Sequence, residues 1–419
     1  MRTIFHVDVN SAFLSWSALK QLKDDPGSID LRTVPSAVGG DVETRHGIIT
    51  AKSIPAKKYG IQTGEPVVKA LAKCPGLILV RSDFTVYRQY SSLLMELLRT
   101  YTPYIEQASI DEAYLDVSES AGSDPAGLAR RIADNVKTQL GFTVNVGISS
   151  NKFLAKMASD FSKPDKVHTL YPAQIREKLW PLPIEQLHGC GQATATKLRN
   201  LGIKTIQDAA ESELSILQNT LGIKMGLYIY ERANGRDESE VHYQAREPKS
   251  YSNETTTAQD ITKDNYEALG LPILEKLSAK VSARLIRDQV WGSTVNIIVK
   301  TGSFKRHTRQ TTLFSPTNKA EEIFAQAAVL MKDLLYGTSD IESEGLFRQG
   351  EVLRLIGVGI SGLSKGENRQ MNLFEWSQAN EERMIHKERD EKLDRMLAQI
   401  RERYGETAIH RGESGGQVP

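Results

Sequence analysis

TIFHVDVNSAFLSW, residues 3–16, decides the reading of this chain. Residues 3–9 are short, β-branched and apolar, which predicts a buried strand. Residues from Ser11 onward have helical spacing, so the strand delivers Asp8 to the mouth of a strand–helix junction. Working outward, YIEQASIDEAYLDVSE (104–119) places apolar Ile105, Ala108, Ile110, Leu115 and Val117 around its acids. That pattern predicts two strands joined by a tight turn near Ser109–Glu112. A helical period runs through 84–101, with Tyr87, Tyr90, Leu94, Leu97 and Leu98 on one side. A helix over 126–140, a strand over 143–148 and a helix over 150–163 follow, the last capped by Ser149 or Ser150 and stopped at Pro164. The order strand–helix–strand–strand–helix–strand predicts an α+β, ferredoxin-like unit.

Three acids in this frame sit in unusual places. Asp8 interrupts an apolar strand, and Asp111 and Glu112 are adjacent in an otherwise apolar hairpin. A single acid at a strand end is ordinarily a turn or cap residue. Three on neighbouring strands call for a counter-charge, because two carboxylates about 4 Å apart repel by about 4 kcal/mol at an effective dielectric near 20. Oxygen donors without a nearby His or Cys favour Mg²⁺. Two such ions can clamp an in-line phosphoryl transfer.

The rest of the chain bounds the answer. Its 419 residues, 40% hydrophobic and 25% charged, predict a soluble globular protein of two to four domains. No apolar run approaches the ~20 residues of a membrane span. The first sixteen residues lack the pattern of a signal peptide, so the expected location is the cytoplasm. Cys74 and Cys190 are far apart and set up neither a disulfide framework nor a zinc site. The net charge of +1 hides a basic stretch: Lys280 to Thr312 holds seven Lys and Arg against the single acid Asp288.

Together HVDVNSAFLSW, ASIDEAYLDVS and VNVGISSNKFLAKMASDFSKPDK resemble the palm of Y-family DNA polymerases, nearest the DNA polymerase IV and bacterial UmuC-like groups. The resemblance implies a template-directed, low-fidelity translesion polymerase that extends a primer 3′-OH. It implies primer–template DNA, deoxynucleoside triphosphates and a β sliding clamp as partners, two Mg²⁺ ions (Mn²⁺ substituting) as cofactors, and a monomer. It divides the chain into a palm over 1–170 with small fingers inserted at about 34–80, a helix-hairpin-helix thumb over 171–245, a linker at 246–253, an α+β little finger over 254–363 and a tail over 364–419.

Carried over residue by residue, Asp8 and Asp111 bind both metals, Glu112 binds the catalytic one, and the Val9 carbonyl is a further ligand. Phe13 matches the steric gate that excludes a ribose 2′-OH; otherwise it is an ordinary core aromatic. Asn10, Ser11 and Ala12 are expected to present backbone N–H groups to the triphosphate. Lys163 takes the place of a triphosphate-binding lysine, although Lys152, Lys156 and Lys163 also read as a solvated helix face. One stretch departs from the family: AKSIPAKKYG puts Ile54 and Lys57 where a Tyr and an Arg are usual, and Lys57 meets phosphate as a point charge, not a fork.

In LHGCGQATATKLRNLGI, Gly189 and Gly191 allow the tight turn of a helix-hairpin-helix, whose N–H groups reach phosphate without reading bases. A plain helical turn is the alternative. Lys300, Lys305, Arg306 and Arg309 end an alternating strand pair suited to a DNA backbone, or to guarding a sheet edge. Gln370, Leu373 and Phe374 follow a polar linker and resemble a clamp-binding peptide. No segment remains for a proofreading nuclease. An inactive DNA-binding or clamp-associated protein of this fold, and a nucleotide cyclase, are the competing readings.

Overall fold

The computed structural model describes residues 2–40, 47–244, 247–337, 345–365 and 396. They divide into two compact units, Met1–Arg246 and Glu247–Pro419. Among them no helix is long and apolar enough to cross a membrane. Gln370, Leu373 and Phe374 lie outside the described residues.

The first unit opens with β1 (Ile4–Val9), α1 (Ala12–Asp24), β2 (Ser36–Gly39), β3 (Ile49–Lys52), α2 (Ile54–Lys58), α3 (Val67–Lys73) and β4 (Ile78–Val80). It continues with α4 (Phe84–Arg99), β5 (Ile105–Gln107), β6 (Glu112–Asp116), α5 (Pro125–Asn135), β7 (Val144–Ser149), α6 (Lys152–Asp160) and β8 (Val167–Thr169). The sheet order β5-β6-β1-β7 with antiparallel pairing is that of a ferredoxin-like unit, and β8 adds in parallel beside β7. β2, β3 and β4 form a separate small sheet over its own apolar cluster around Ile49, Ile61 and Val67.

Alternation along β1 sets the site. Phe5, Val7 and Val9 point into the core built with α1, α4 and α5, where Trp16, Leu94, Leu98 and Ile132 are buried. Ile4, His6 and Asp8 therefore face the other way, towards α6. That helix lies unusually close. A Cβ on Gly147 would stand 2.0 Å from the Ala155 carbonyl oxygen and 2.4 Å from the Ser159 nitrogen, so glycine is what admits it. α6 is shorter than expected: its cap is Asn151, whose side chain accepts from the Leu154 N–H at 2.8 Å, and it ends at Asp160. Lys163 sits beyond the helix. Every residue from Lys152 to Ser159 is buried, so Lys152 and Lys156 are not a solvated stripe.

The chain then turns to short helices, α7 (Gln192–Asn200), α8 (Ile206–Glu211), α9 (Leu214–Leu221) and α10 (Ile223–Ala233). Gly189 has φ +86°, and a Cβ there would reach within 2.6 Å of the Tyr228 ring. The Tyr228 hydroxyl donates to the His188 carbonyl at 3.1 Å, which fixes the turn ahead of α7.

The second unit holds β9 (Ser250–Ile261), α11 (Leu271–Arg287), β10 (Val290–Thr301), β11 (Arg306–Thr317), α12 (Ala320–Tyr336) and β12 (Leu353–Lys365). Its antiparallel sheet runs β11-β10-β12-β9, and both helices bury one face of it. The stretch 246–253 is not all linker: pairing starts at Ser250, opposite Ser361, because Tyr251 enters the core. Register also corrects the basic cluster. Lys300 pairs with Arg306 and shares the open face, whereas Arg309 pairs with buried Ile297 and belongs to the helix-covered side. The Arg306–Glu254 ion pair at 3.2 Å spans that open face.

Candidate active site

Asp8 is 6% exposed and lies between two lysines. Its Oδ2 accepts from Lys163 Nζ at 2.9 Å and from Lys156 Nζ at 3.3 Å. Across the β1–β6 pair, where Asp8 stands opposite Glu112, Lys156 also donates to Glu112 Oε1 at 2.8 Å. Asp160 completes the cluster, 3.4 Å from Lys156 and 2.8 Å from Lys163. Buried Asp8 and half-buried Glu112 thus share one ammonium, which offsets the repulsion that their sequence positions imply.

Burial pushes the Asp8 carboxyl up to about 6, against the pull of Lys163 and Lys156. Burial also raises Glu112, but His6 and Lys156 outweigh it and hold that carboxyl well below the usual range. Desolvation lowers the His6 imidazole, whose Nδ1 is 2.9 Å from Ser159 Oγ and whose Nε2 is 3.6 Å from Glu112. Burial opposes the charge on Lys156 and Lys163, but Asp8 and the other nearby acids keep both above their ordinary range.

A cleft of about 420 Å³ opens beside Asp8. Val9, Asn10, Ser11, Ala12, Phe13 and Asp111 line it from the palm side, with Lys163 and Pro164. Lys52, Ser53, Ile54, Lys57 and Arg32 line it as well. Its charged rim is therefore four cations and two acids. Asp111 is held from both ends: its backbone carbonyl accepts from Val9 N–H at 3.1 Å, and its Oδ1 accepts from Ser109 Oγ at 2.6 Å. Glu112 does not line the cleft; it is docked on Lys156. Among the described residues no group of three or more His, Cys, Asp or Glu side chains stands close enough to hold a metal ion.

The donor set still fits a hard divalent cation. Asp8, Asp111 and the Val9 backbone offer oxygen alone, and Mg²⁺ needs few protein ligands because water and phosphate complete its shell. The raised Asp8 carboxyl marks an anion whose ionisation burial disfavours, and a bound divalent cation would offset that penalty. Cation uptake should then release about half a proton from Asp8 at pH 6, close to one at pH 5 and almost none at pH 8. The sign follows from the cation favouring the ionised form, so affinity weakens as pH falls through 6. Indicator-dye measurements during Mg²⁺ addition would show it, and uptake independent of pH between 5 and 8 would contradict it.

Phe13 is half-buried and backed by a rigid aromatic stack. Its ring lies parallel to Tyr87 with centroids 4.6 Å apart, and Phe84 meets it edge-on at 5.6 Å. Tyr87 is fully buried, its hydroxyl 2.9 Å from Ser17 Oγ. The Asn10 N–H is not free for a phosphate, contrary to expectation: it donates to the Thr143 carbonyl at 3.0 Å. Asn10 works instead through its side chain, which joins Thr143, Asn145 and the Asp165 N–H. Asn145 in turn donates to the Ser159 and Ser162 carbonyls, so this pair of asparagines pins the loop that carries Lys163. Ser11 and Ala12 remain at the start of α1, whose first N–H groups have no partner within the helix.

Sequence reasoning missed Lys52, Arg32, Lys156 and Asn145 as neighbours of the site. The closeness of α6 to β7 at Gly147 is the signal that could have flagged Lys156, since a helix pressed onto a sheet has no solvated face there.

Comparison with known proteins accords with this geometry. The impB/mucB/samB family matches residues 7–160, its C-terminal domain matches 248–373, and the thumb domain described for DNA polymerase-iota matches 185–237. The chain is 39% identical to DNA polymerase IV of Clostridium acetobutylicum over 98% of its own length and 97% of that protein. It is 34% identical to DNA polymerase IV 1 of Bacillus subtilis over 98% and 92%. In fold it resembles a Y-family DNA polymerase chimera of Dbh and Dpo4, with TM-score 0.73 and 24% identity over 86% of this chain and 98% of that one. DinB from Sulfolobus solfataricus gives TM-score 0.55 at 24% identity, over the same shares. The chain therefore belongs to the impB/mucB/samB family of Y-family DNA polymerases.

Proposed function

We propose that this chain is a low-fidelity, translesion DNA polymerase whose Asp8 cleft adds deoxynucleotides to a primer 3′-OH. The observation that carries the reading is the convergence of Asp8, Asp111, Phe13, Lys52, Lys57 and Lys163 on one cleft. Carboxylates, a rigid ring and cations are what phosphoryl transfer with sugar selection requires. Asp8, Asp111 and the Val9 carbonyl would hold two Mg²⁺ ions, with Mn²⁺ as a substitute, and Glu112 would join by exchanging Lys156 for the ion. Ions held there would supply Lewis acidity toward the primer hydroxyl and positive charge toward the pyrophosphate leaving group. Lys163, Lys57 and Lys52 bind the triphosphate, aided by the N–H groups of Ser11 and Ala12. Phe13 lies under the sugar and excludes a 2′-OH. Small Ala51 and Ser53 on the cleft wall leave room for an imperfect pair.

Residues 1–170 act as palm with fingers at about 34–80, 171–245 as thumb, 250–365 as little finger and 366–419 as tail. Gly189 and Gly191 of the thumb, and Lys300, Lys305 and Arg306 of the little finger, grip the DNA backbone. Gln370, Leu373 and Phe374 dock on a β sliding clamp, and the enzyme works as a monomer. An inactive DNA-binding protein is disfavoured by the intact carboxylates, and a nucleotide cyclase by the family membership.

The test is primer extension. The chain should extend a primed template with all four deoxynucleotides, only when a divalent cation is present, and in the order the template dictates. No extension under any metal condition would overturn the reading.

A further inference from the structure

The hairpin between β10 and β11 carries Phe304 at its tip, 62% exposed and with φ +64°. Hairpin turns reserve that left-handed position for glycine, and a bulky side chain there is strained. The surroundings hold it all the same. Phe304 N–H donates to the Thr301 carbonyl at 2.9 Å, Thr301 N–H to the Lys305 carbonyl at 2.9 Å, and Gly302 N–H to the Val352 carbonyl at 2.8 Å. Ser303 Oγ donates to Glu351 at 3.2 Å. The tip is thus a rigid mount that presents a ring to solvent.

Cations frame the ring. The Arg354 guanidinium lies 4.9 Å from its centroid and the Lys300 ammonium 5.9 Å. Arg354 reaches it because β12 bulges there, its register passing from Leu353 to Leu355 against both neighbouring strands. Lys305 and Arg306 are exposed beside it. The nearby acids are Glu254, paired with Arg306, and Glu351, bound to Ser303. Positive charge alone would serve a duplex backbone, which offers phosphates and groove edges but no free base face. An exposed ring among cations instead suits a single strand, whose unpaired bases stack on aromatics while their phosphates meet the charges.

We propose that Phe304 is a stacking site for an unpaired base of the template strand. This rests on the DNA-polymerase reading. The test compares the full-length chain on two DNAs, a primer–template with a single-stranded overhang and the same duplex with blunt ends. Phe304→Gly is the deciding variant, because glycine suits the φ of this turn and the hairpin should survive. Its affinity for the overhang DNA should fall about tenfold, with less than about a twofold change on the blunt duplex. Phe304→Trp should bind both as the wild type does. The fluorescence of 2-aminopurine in the overhang should be quenched by the wild type and the Trp variant but not by the Gly variant. Equal weakening on both DNAs, or no weakening on the overhang, would overturn the proposal. If the wild type binds neither DNA, the polymerase reading itself falls, and this proposal with it.

Discussion

Asp8→Asn lowers the rate of single-nucleotide addition by on the order of 10³-fold. Metal-borne charge stabilisation in phosphoryl transfer is worth several kcal/mol, and each 1.36 kcal/mol is tenfold in rate. Asparagine keeps the shape of the side chain, so the change removes charge and little else. Asp8 is the carboxylate for which the fold offers no substitute. It lies buried on the central strand, and Glu112 opposite is already engaged by Lys156 at 2.8 Å. Single-turnover extension from a pre-bound primer isolates the step. Asp116→Asn is the control. That residue sits on the same sheet, 3.6 Å from Arg2 in a partly exposed ion pair outside the cleft, and its substitution should leave the rate within about twofold. A comparable loss in both variants would trace the effect to folding.

Phe13→Ala raises the ratio of ribonucleotide to deoxynucleotide insertion by roughly 10- to 200-fold, the range that one methylene-sized group commands in a close-fitting pocket. A hydroxyl is about that size, and the ring that meets it cannot yield, because Tyr87 stacks behind it at 4.6 Å and is itself fully buried. Removing the ring also forfeits about 0.5–1.5 kcal/mol of stacking, so melting temperatures should be compared alongside. Phe13→Leu should fall between. Insertion efficiencies of matched ribo- and deoxynucleotides, measured singly, give the ratio. An unchanged ratio would place sugar selection on another cleft residue.

Much of this site was legible because it depends on period. Alternation in residues 3–9 places Asp8 opposite Phe5, Val7 and Val9, and the same rule locates the β5–β6 hairpin around Ser109 and Ile110. Helical spacing likewise marks α4. What stayed hidden depends on how closely elements approach. Lys156 looks like part of a solvated stripe until Gly147 lets α6 settle onto β7, after which the lysine has no exit except to Asp8, Glu112 and Asp160. The sequence directs the Asn10 N–H to phosphate, yet the Thr143 carbonyl, just ahead of β7, accepts from it. Arg309 was grouped with Lys300 and Arg306 by proximity in sequence. The two-residue period of β11 puts it on the other face. Each correction is a contact between segments far apart in the chain, which local pattern does not encode.

The ammonium shared by Asp8 and Glu112 gives the account a physical shape. Without a divalent cation, Lys156 keeps the two carboxylates from repelling. On the proposed reading a bound cation would let Glu112 change partner, while Lys163, 2.9 Å from Asp8, would remain beside that carboxylate. Lys52 and Lys57 on the cleft wall would then meet the triphosphate, whereas Arg32 is held by Asp30 at 2.8 Å and by the Gly141 carbonyl at 2.7 Å. Ile54 contributes no hydrogen bond there, so nucleotide affinity leans on these point charges.

Counting bound Mn²⁺ by electron paramagnetic resonance, with primer–template and an unreactive deoxynucleotide analogue present, tests the central claim without relying on turnover. Two ions per wild-type chain are expected, with the loss of at least one in Asp8→Asn, as when a shared carboxylate ligand of a two-metal site is removed. Two ions retained at unchanged affinity in Asp8→Asn would contradict it.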